Sequence, residues 1–158
     1  MLYRFHYDFF MKRFPNARLI FTDTDSLYYY VEGVDDLEKM LFEDKERDKY
    51  LDFSDYPVGH PYHNQTNKMV IGMFKCETRG SSIKEIVGLR PKMYCYTTTD
   101  ESAPDGVKEK KRIKGISRAA PKSLRHQNYL EQLREAQENN LSNRRIGINL
   151  HQIYPIAV

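Results

Sequence analysis

Residues 19–31 of the chain read Leu19-Ile20-Phe21-Thr22-Asp23-Thr24-Asp25-Ser26-Leu27-Tyr28-Tyr29-Tyr30-Val31. Both ends of the stretch are rich in apolar, β-branched and aromatic residues, which is typical of β-strands. Asp23 and Asp25 lie between these ends, where a bend would join strands over residues 18–22 and 26–32. Because burial of an isolated carboxylate is costly, proteins pair such groups or bind a metal ion to them. The stretch therefore predicts a hairpin that carries two carboxylates at its bend.

The remaining pattern predicts an α+β fold, with antiparallel strands and flanking helices. Apolar spacing indicates a helix over residues 2–14 that ends at Pro15-Asn16, and Asp35-Asp36 should cap a short helix that runs to about Asp44. Further strands are expected at residues 70–77, 83–87, 92–98 and 145–157, and a further helix at residues 121–139. Turn-forming composition predicts loops at residues 45–67 and 100–106.

Composition and charge narrow the class of protein. The 158 residues are 40% hydrophobic and 30% charged, which is typical of a soluble globular chain. No apolar run is long enough to span a bilayer and no signal peptide is evident, so we expect an intracellular protein that does not use a membrane. Residues 1–60 carry 8 Lys/Arg and 13 Asp/Glu, whereas residues 61–158 carry 17 and 9. This asymmetry would suit a metal-using enzyme that acts on a polyanion, although uneven surface charge alone also explains it.

Side-chain spacing gives the acidic pair a possible chemistry. Residues at i and i+2 of an extended segment point to the same side, so both carboxylates could reach one metal site. Mg²⁺ prefers hard oxygen ligands, and two such ions assist phosphoryl transfer by holding the attacking and leaving oxygens. Asp-x-Asp alone is not specific, because it also occurs in solvated turns and in sugar-nucleotide transferases.

The longer string resembles a known motif. Phe21-Thr22-Asp23-Thr24-Asp25-Ser26 is similar to motif C of the family B DNA polymerases, written Tyr-x-Asp-Thr-Asp-Ser. Further similarities follow in the family's order, and they point to its protein-primed branch. Residues 89–94 resemble the Lys-x-Tyr motif, residues 111–116 resemble the basic Lys-x-Lys-Gly element at the palm-to-thumb junction, and residues 67–77 resemble the intervening segment of Maverick/Polinton-type mobile elements.

The resemblance implies a DNA-directed DNA polymerase that joins nucleotides by a two-metal mechanism. Asp25 would be the principal ligand of two Mg²⁺ or Mn²⁺ ions, and Asp23 would be a second acidic group. The implied partners are template–primer DNA, a dNTP and a terminal protein primer. If the source is eukaryotic, the implied location is the nucleus or an organelle. The implied DNA-binding residues are Lys92, Tyr94, Lys111, Arg112 and Lys114.

The resemblance also implies the domains and shows what the chain lacks. Residues 1–107 would form the C-terminal part of an antiparallel palm, and residues 108–158 the junction and a partial, helical thumb. Motifs A and B of the family do not occur in the sequence. Because motif A supplies the second aspartate of the metal site, we expect the chain to be a polymerase fragment that is inactive alone. The alternative is a non-catalytic, DNA-binding remnant of a mobile-element polymerase.

A zinc site is a further possibility, because His60 and His63 are followed by Cys76 and Cys95. Structural zinc sites show closely spaced ligand pairs on both sides, and the two cysteines are far apart within expected strands. We therefore predict solvated histidines and reduced, separate thiols instead of a zinc site.

Overall fold

The computed structural model describes residues 1–100, 102–114, 124–138 and 146–157, with side chains described as far as residue 135. The chain is an α+β protein whose paired β-strands are antiparallel. The elements are α1, which is π-helical over Arg4–Phe10 and α-helical over Met11–Arg13, β1 (Arg18–Asp23), β2 (Ser26–Tyr30), α2 (Leu37–Glu43), β3 (Lys75–Cys76), β4 (Ile83–Arg90), β5 (Met93–Thr99), β6 (Val107–Ile113), α3 (His126–Glu138) and β7 (Ile146–Ala157). None of the described helices is long and apolar enough to cross a membrane.

The chain divides into two compact units, which are described separately. One unit contains Met1–Gly80 with Tyr154–Val158, and the other contains Ser81–Ile153. The boundary predicted from the sequence, after residue 107, instead falls at the start of β6 inside the second unit. The assignment of the two parts to palm and thumb stays a prediction.

Aromatic packing forms the core of the first unit. The spacing of Phe5, Phe9 and Phe10 places all three on the buried side of α1. The Phe10 ring stacks on Tyr29 of β2 at 4.0 Å between centroids, and the Phe5 ring stacks on Phe74 at 4.1 Å. Aromatic pairs at such distances add to the free energy of burial. The predicted hairpin of β1 and β2 is thereby held against the predicted N-terminal helix.

The cap predicted for the second helix is confirmed. The Asp36 side chain accepts a hydrogen bond of 2.8 Å from the backbone N–H of Lys39, as an N-cap residue does. Leu37 and Leu41, one turn apart, are the buried residues of α2. The helix ends at Glu43, close to the predicted end at Asp44.

A four-stranded sheet with one helix on its face forms the second unit. β4 pairs with β5, β5 pairs with β6, and residues 146–153 of β7 pair with β4. Tyr129 and Leu133 of α3 pack on Val87 and Cys95, which lie opposite each other in β4 and β5. These strands and this helix agree with the elements predicted at residues 83–98 and 121–139, of which residues 121–123 and 139 lie outside the described part.

One strand prediction fails, and one strand of the structure was not predicted. The strand expected at residues 70–77 is reduced to Lys75–Cys76, because Met69 and Gly72 adopt positive φ angles of 62° and 88° that an extended strand does not allow. Ile71 between them is 97% exposed. Conversely, Val107–Ile113 forms β6, although its lysine-rich sequence did not indicate a strand.

Arg13 ties the end of α1 to the segment after α2. Its guanidinium donates two hydrogen bonds to the Asp44 carboxylate and one of 2.9 Å to Glu46 Oε2, and it lies 3.9 Å from the centre of the Phe9 ring. The side chains of Arg13 and Asp44 are 20% and 19% exposed. The hydrogen bond from Arg13 lowers the pKa of Asp44 below its ordinary value of 3.8.

We expect Asp44→Asn to lower the free energy of unfolding at neutral pH by about 1–3 kcal/mol, between the values for exposed and buried ion pairs. Because the pKa of Asp44 is lower in the folded state, the stabilisation is complete above its unfolded pKa and is lost as the pH falls through the folded value. The difference between the two proteins in urea unfolding should therefore shrink in acid.

Asp8→Asn is the matched control, because the Asp8–Lys12 pair is 4.0 Å apart and its side chains are 53% and 67% exposed. Its effect should stay within about 0.5 kcal/mol at every pH. Equal effects of the two substitutions would contradict a stabilising role for the Arg13–Asp44 pair.

Candidate functional site

A tight turn joins β1 to β2 at the acidic pair. Asp23 pairs with Ser26, and Thr24 and Asp25 connect them. The backbone N–H of Asp25 donates to the carbonyl of Asp23 at 2.7 Å, and the Ser26 hydroxyl donates to the same carbonyl at 2.9 Å. Thr24 has a φ of 57°. An i to i+2 hydrogen bond around a residue with positive φ is the rare, strained form of γ-turn, and a β-branched residue adopts it at a cost.

The turn presents the carboxylates while its base is buried. All five residues of β2 are buried, including Ser26 at 7% exposure. Asp23 is half-buried and Asp25 is exposed. The Thr24 hydroxyl donates to Asp23 Oδ1 at 3.3 Å. The predicted hairpin with both acidic residues at its bend is therefore present in the structure.

The oxygen ligands at this turn fit Mg²⁺ or Mn²⁺ in kind but not in number. Such ions take one or two protein carboxylates and complete their shell with water or substrate phosphates. Within residues 1–100, 102–114 and 124–135, no three His, Cys, Asp or Glu side chains come together in a way that could hold a metal ion. Asp23 and Asp25 could therefore supply one side of a metal site, and a further ligand would have to come from elsewhere.

The turn between β4 and β5 brings two of the predicted DNA-binding lysines together. Arg90 pairs with Met93, so Pro91 and Lys92 connect the strands, and Lys92 has a φ of 59°. The carbonyl of Lys92 accepts a hydrogen bond of 3.1 Å from the backbone N–H of Lys114, just beyond β6. Both side chains are exposed. Gly115 and Ile116, the last residues of the predicted basic element, lie outside the described part of the chain.

The other three predicted DNA-binding residues have different surroundings. Tyr94 is only 4% exposed, and its ring stacks on Tyr96. Arg112 lies opposite Tyr94 in β6 and is exposed. Lys111 lies opposite Cys95, and its ammonium donates to the backbone carbonyl of Leu124, which precedes α3. A direct contact of each with DNA stays a prediction.

Sequence reasoning omitted three basic residues that the fold places near this set: Arg90, Lys108 and Lys110. The guanidinium of Arg90 lies 3.5 Å from the carbonyl oxygen of Lys114. The signal for the other two was present in the sequence as alternation, because Lys108, Lys110, Arg112 and Lys114 are spaced two residues apart. Alternate residues share a face only in a strand, and β6 was not predicted.

The residues considered for zinc are separated. Cys76 belongs to the first unit and Cys95 to the second. Cys76 Sγ lies 3.7 Å from the Glu38 carboxylate, and burial raises the pKa of both groups. His63 Nδ1 lies 2.8 Å from the carbonyl of Tyr56. His60 and His63 are both half-buried, so the prediction that they are solvated is wrong.

Comparison with known proteins identifies no relative: no protein-family model, no curated protein and no solved structure matches the chain.

We expect Thr24→Gly to raise the free energy of unfolding by up to about 1 kcal/mol. A positive φ costs an L-residue roughly 1–2 kcal/mol of free energy, and glycine does not bear this cost. Glycine in turn lowers the free energy of unfolding by about 0.5–1 kcal/mol, because the unfolded chain is more flexible at this residue. Thr22→Gly is the control, because Thr22 is an exposed residue of β1 paired with Leu27. It should destabilise by about 0.5–1 kcal/mol. Equal destabilisation by both changes in thermal unfolding would show that the turn is not strained.

Proposed function

We propose that this chain is part of the palm and thumb of a family B DNA-directed DNA polymerase, of the protein-primed branch. In this proposal Asp23 and Asp25 supply carboxylates to the metal site, and the basic residues of the second unit hold template–primer DNA. The bound metal ions would neutralise the phosphates between which the nucleotide is transferred.

The turn at Asp23–Ser26 is the observation that carries the proposal. A strained residue persists only where its surroundings hold it, and such residues cluster at functional sites. Here the buried strand β2 holds the turn, and Thr24 with its positive φ lies between Asp23 and Asp25 at an accessible bend. An ordinary solvated turn could use Gly or Asn at this position without that cost.

The metal site in this proposal is completed by a carboxylate outside the described residues. Two carboxylates on one turn leave most of the coordination shell of two ions to other groups, and the described residues offer no third metal-ligating side chain nearby. Polymerisation would then require the segment that supplies motif A, and the chain by itself would not extend a primer.

A second candidate is a DNA-binding protein without catalysis. It is favoured by the same absence of a third ligand among the described residues, together with the exposed cations at Lys92, Arg112 and Lys114. Lys and Arg bind phosphates irrespective of base sequence, so such a protein would hold DNA without Asp23 or Asp25. The two candidates differ in what substitution of the carboxylates does.

We expect Asp25→Asn to weaken Mn²⁺ binding to the complex of the chain with template–primer DNA by roughly tenfold, because it removes one anionic ligand. Asp23→Asn should have a smaller effect, and both proteins should bind DNA. Electron paramagnetic resonance of Mn²⁺ measures the affinity, and primer extension by the chain alone should be absent. Asp35→Asn, which removes an exposed carboxylate outside the turn, is the matched control.

Equal Mn²⁺ affinities of the wild-type chain and Asp25→Asn would overturn the polymerase proposal. If both proteins also bind DNA in a salt-dependent way, the non-catalytic candidate is the better account. Metal-dependent primer extension by the wild-type chain that Asp25→Asn abolishes would instead contradict the need for a further carboxylate.

A further inference from the structure

We infer that one face of β6, extended by the turn between β4 and β5, binds successive phosphates of a single nucleic-acid strand. This inference rests on the proposed function and deepens it, because it names the residues that follow the strand. The residues of this phosphate track are Lys108, Lys110, Arg112 and Lys114, with Arg90 and Lys92 at its end.

Strand register places the track on one face. Lys108, Lys110 and Arg112 lie opposite Thr98, Tyr96 and Tyr94 of β5 in turn. The Lys110 ammonium lies 5.7 Å from the centre of the Tyr96 ring, as expected for side chains on the same face of paired strands. The three side chains therefore project from the same side of the sheet, in a row along β6.

The side chains on the opposite face of β6 contact the start of α3. Glu109 Oε1 accepts a hydrogen bond of 3.2 Å from the backbone N–H of His126, the first residue of α3, and Lys111 donates to the carbonyl of Leu124. Both residues thus anchor the start of α3. The alternation of the strand separates three cations on one face from an acidic and a basic anchoring residue on the other. Lys111 thus holds the start of α3, and its contact with DNA stays a prediction.

Spacing and exposure suit a phosphate backbone. Two residues of a strand advance about 6.7 Å, a distance comparable with the separation of neighbouring phosphates in one nucleic-acid strand. Lys108, Arg112 and Lys114 are exposed, and Lys110 is half-buried. β6 is the last strand in the described order of the sheet, with β5 on one side only, so a strand of nucleic acid can approach it from the edge.

Three cations of the track lie away from carboxylates in the described part of the chain. Across the described ranges, no carboxylate lies within ion-pair distance of Arg90, Arg112 or Lys114. Lys108 is 3.9 Å from Asp100, in a pair whose lysine is 72% exposed. The carbonyls of Lys92 and Lys114 accept hydrogen bonds from Lys114 and Arg90, respectively. Cations held near one another at this end favour a polyanion.

An alternative account needs no nucleic acid. Lysines on an edge strand prevent pairing with other chains, and β6 is such a strand. This account predicts that loss of the lysines causes self-association and leaves DNA affinity unchanged. The phosphate track predicts the reverse.

The test measures binding of a fluorescent template–primer, and of the same single strand, by anisotropy over a range of NaCl concentrations. Lys108→Gln, Lys110→Gln and Arg112→Gln should each weaken binding severalfold, for any base sequence, and reduce the salt slope by about 0.7–0.9. Lys39→Gln, an exposed lysine of α2, should change neither.

The outcomes separate the two proposals. If the wild-type chain binds DNA with a clear salt slope and the triple variant Lys108→Gln/Lys110→Gln/Arg112→Gln binds equally well, the track is overturned and the proposed function stands. The same holds if the triple variant only self-associates. If the wild-type chain shows no salt-dependent binding, both are overturned. A circular dichroism spectrum and melting curve of the triple variant equal to those of the wild type exclude unfolding as the cause of a loss.

Discussion

The contact of Tyr29 with α1 is the interaction on which the first unit and its acidic turn depend. The ring stacks on Phe10, and the hydroxyl lies 2.7 Å from His6 Nδ1, so both the apolar and the polar parts of Tyr29 are used. Burial raises the pKa of Tyr29 and lowers the pKa of His6, so both groups are held neutral. Because this contact fixes β2, it also fixes Ser26 and the turn that precedes it.

Burial and backbone strain have separate roles at that turn. The side chains of β2 supply the apolar energy, and Thr24 takes the unfavourable backbone angle that keeps Asp23 and Asp25 at the bend. A turn of this kind is stable only when packing holds its flanking strands firmly in place. The acidic pair is thus positioned by buried residues of β2, as a rigid scaffold supports an exposed turn.

In the second unit, the side chains of β6 alternate between the two faces of the sheet. One strand, β6, uses Glu109 and Lys111 to receive α3 and leaves Lys108, Lys110 and Arg112 for the other face. The same lysine-rich segment would have no such division if it were a loop, because only an extended backbone sends neighbouring side chains to opposite sides. The face on which each cation lies therefore follows from its position in the register.

The elements that the sequence predicted well are those with a strong local signal. The hairpin at residues 18–30, the cap at Asp36 and the strands around Cys95 follow from composition, spacing and short-range hydrogen bonding. The failures occurred where local and tertiary preferences disagree. Residues 70–74 have the composition of a strand, but positive φ angles at Met69 and Gly72 turn the backbone away. In contrast, β6 has charged residues between Val107 and Ile113 and is a strand because β5 pairs with it.

The sequence by itself determined the α+β class and the position of Asp23 and Asp25 at a bend, because two apolar runs around an acidic tripeptide leave few other arrangements. Only the tertiary structure decided which basic residues lie near one another. Lys92 and Lys114 are 22 positions apart and meet through a backbone hydrogen bond, whereas the adjacent Lys111 and Arg112 point to opposite faces. The physical reason is that strand pairing sets both the partner and the facing of each side chain, and pairing joins residues that are distant in sequence.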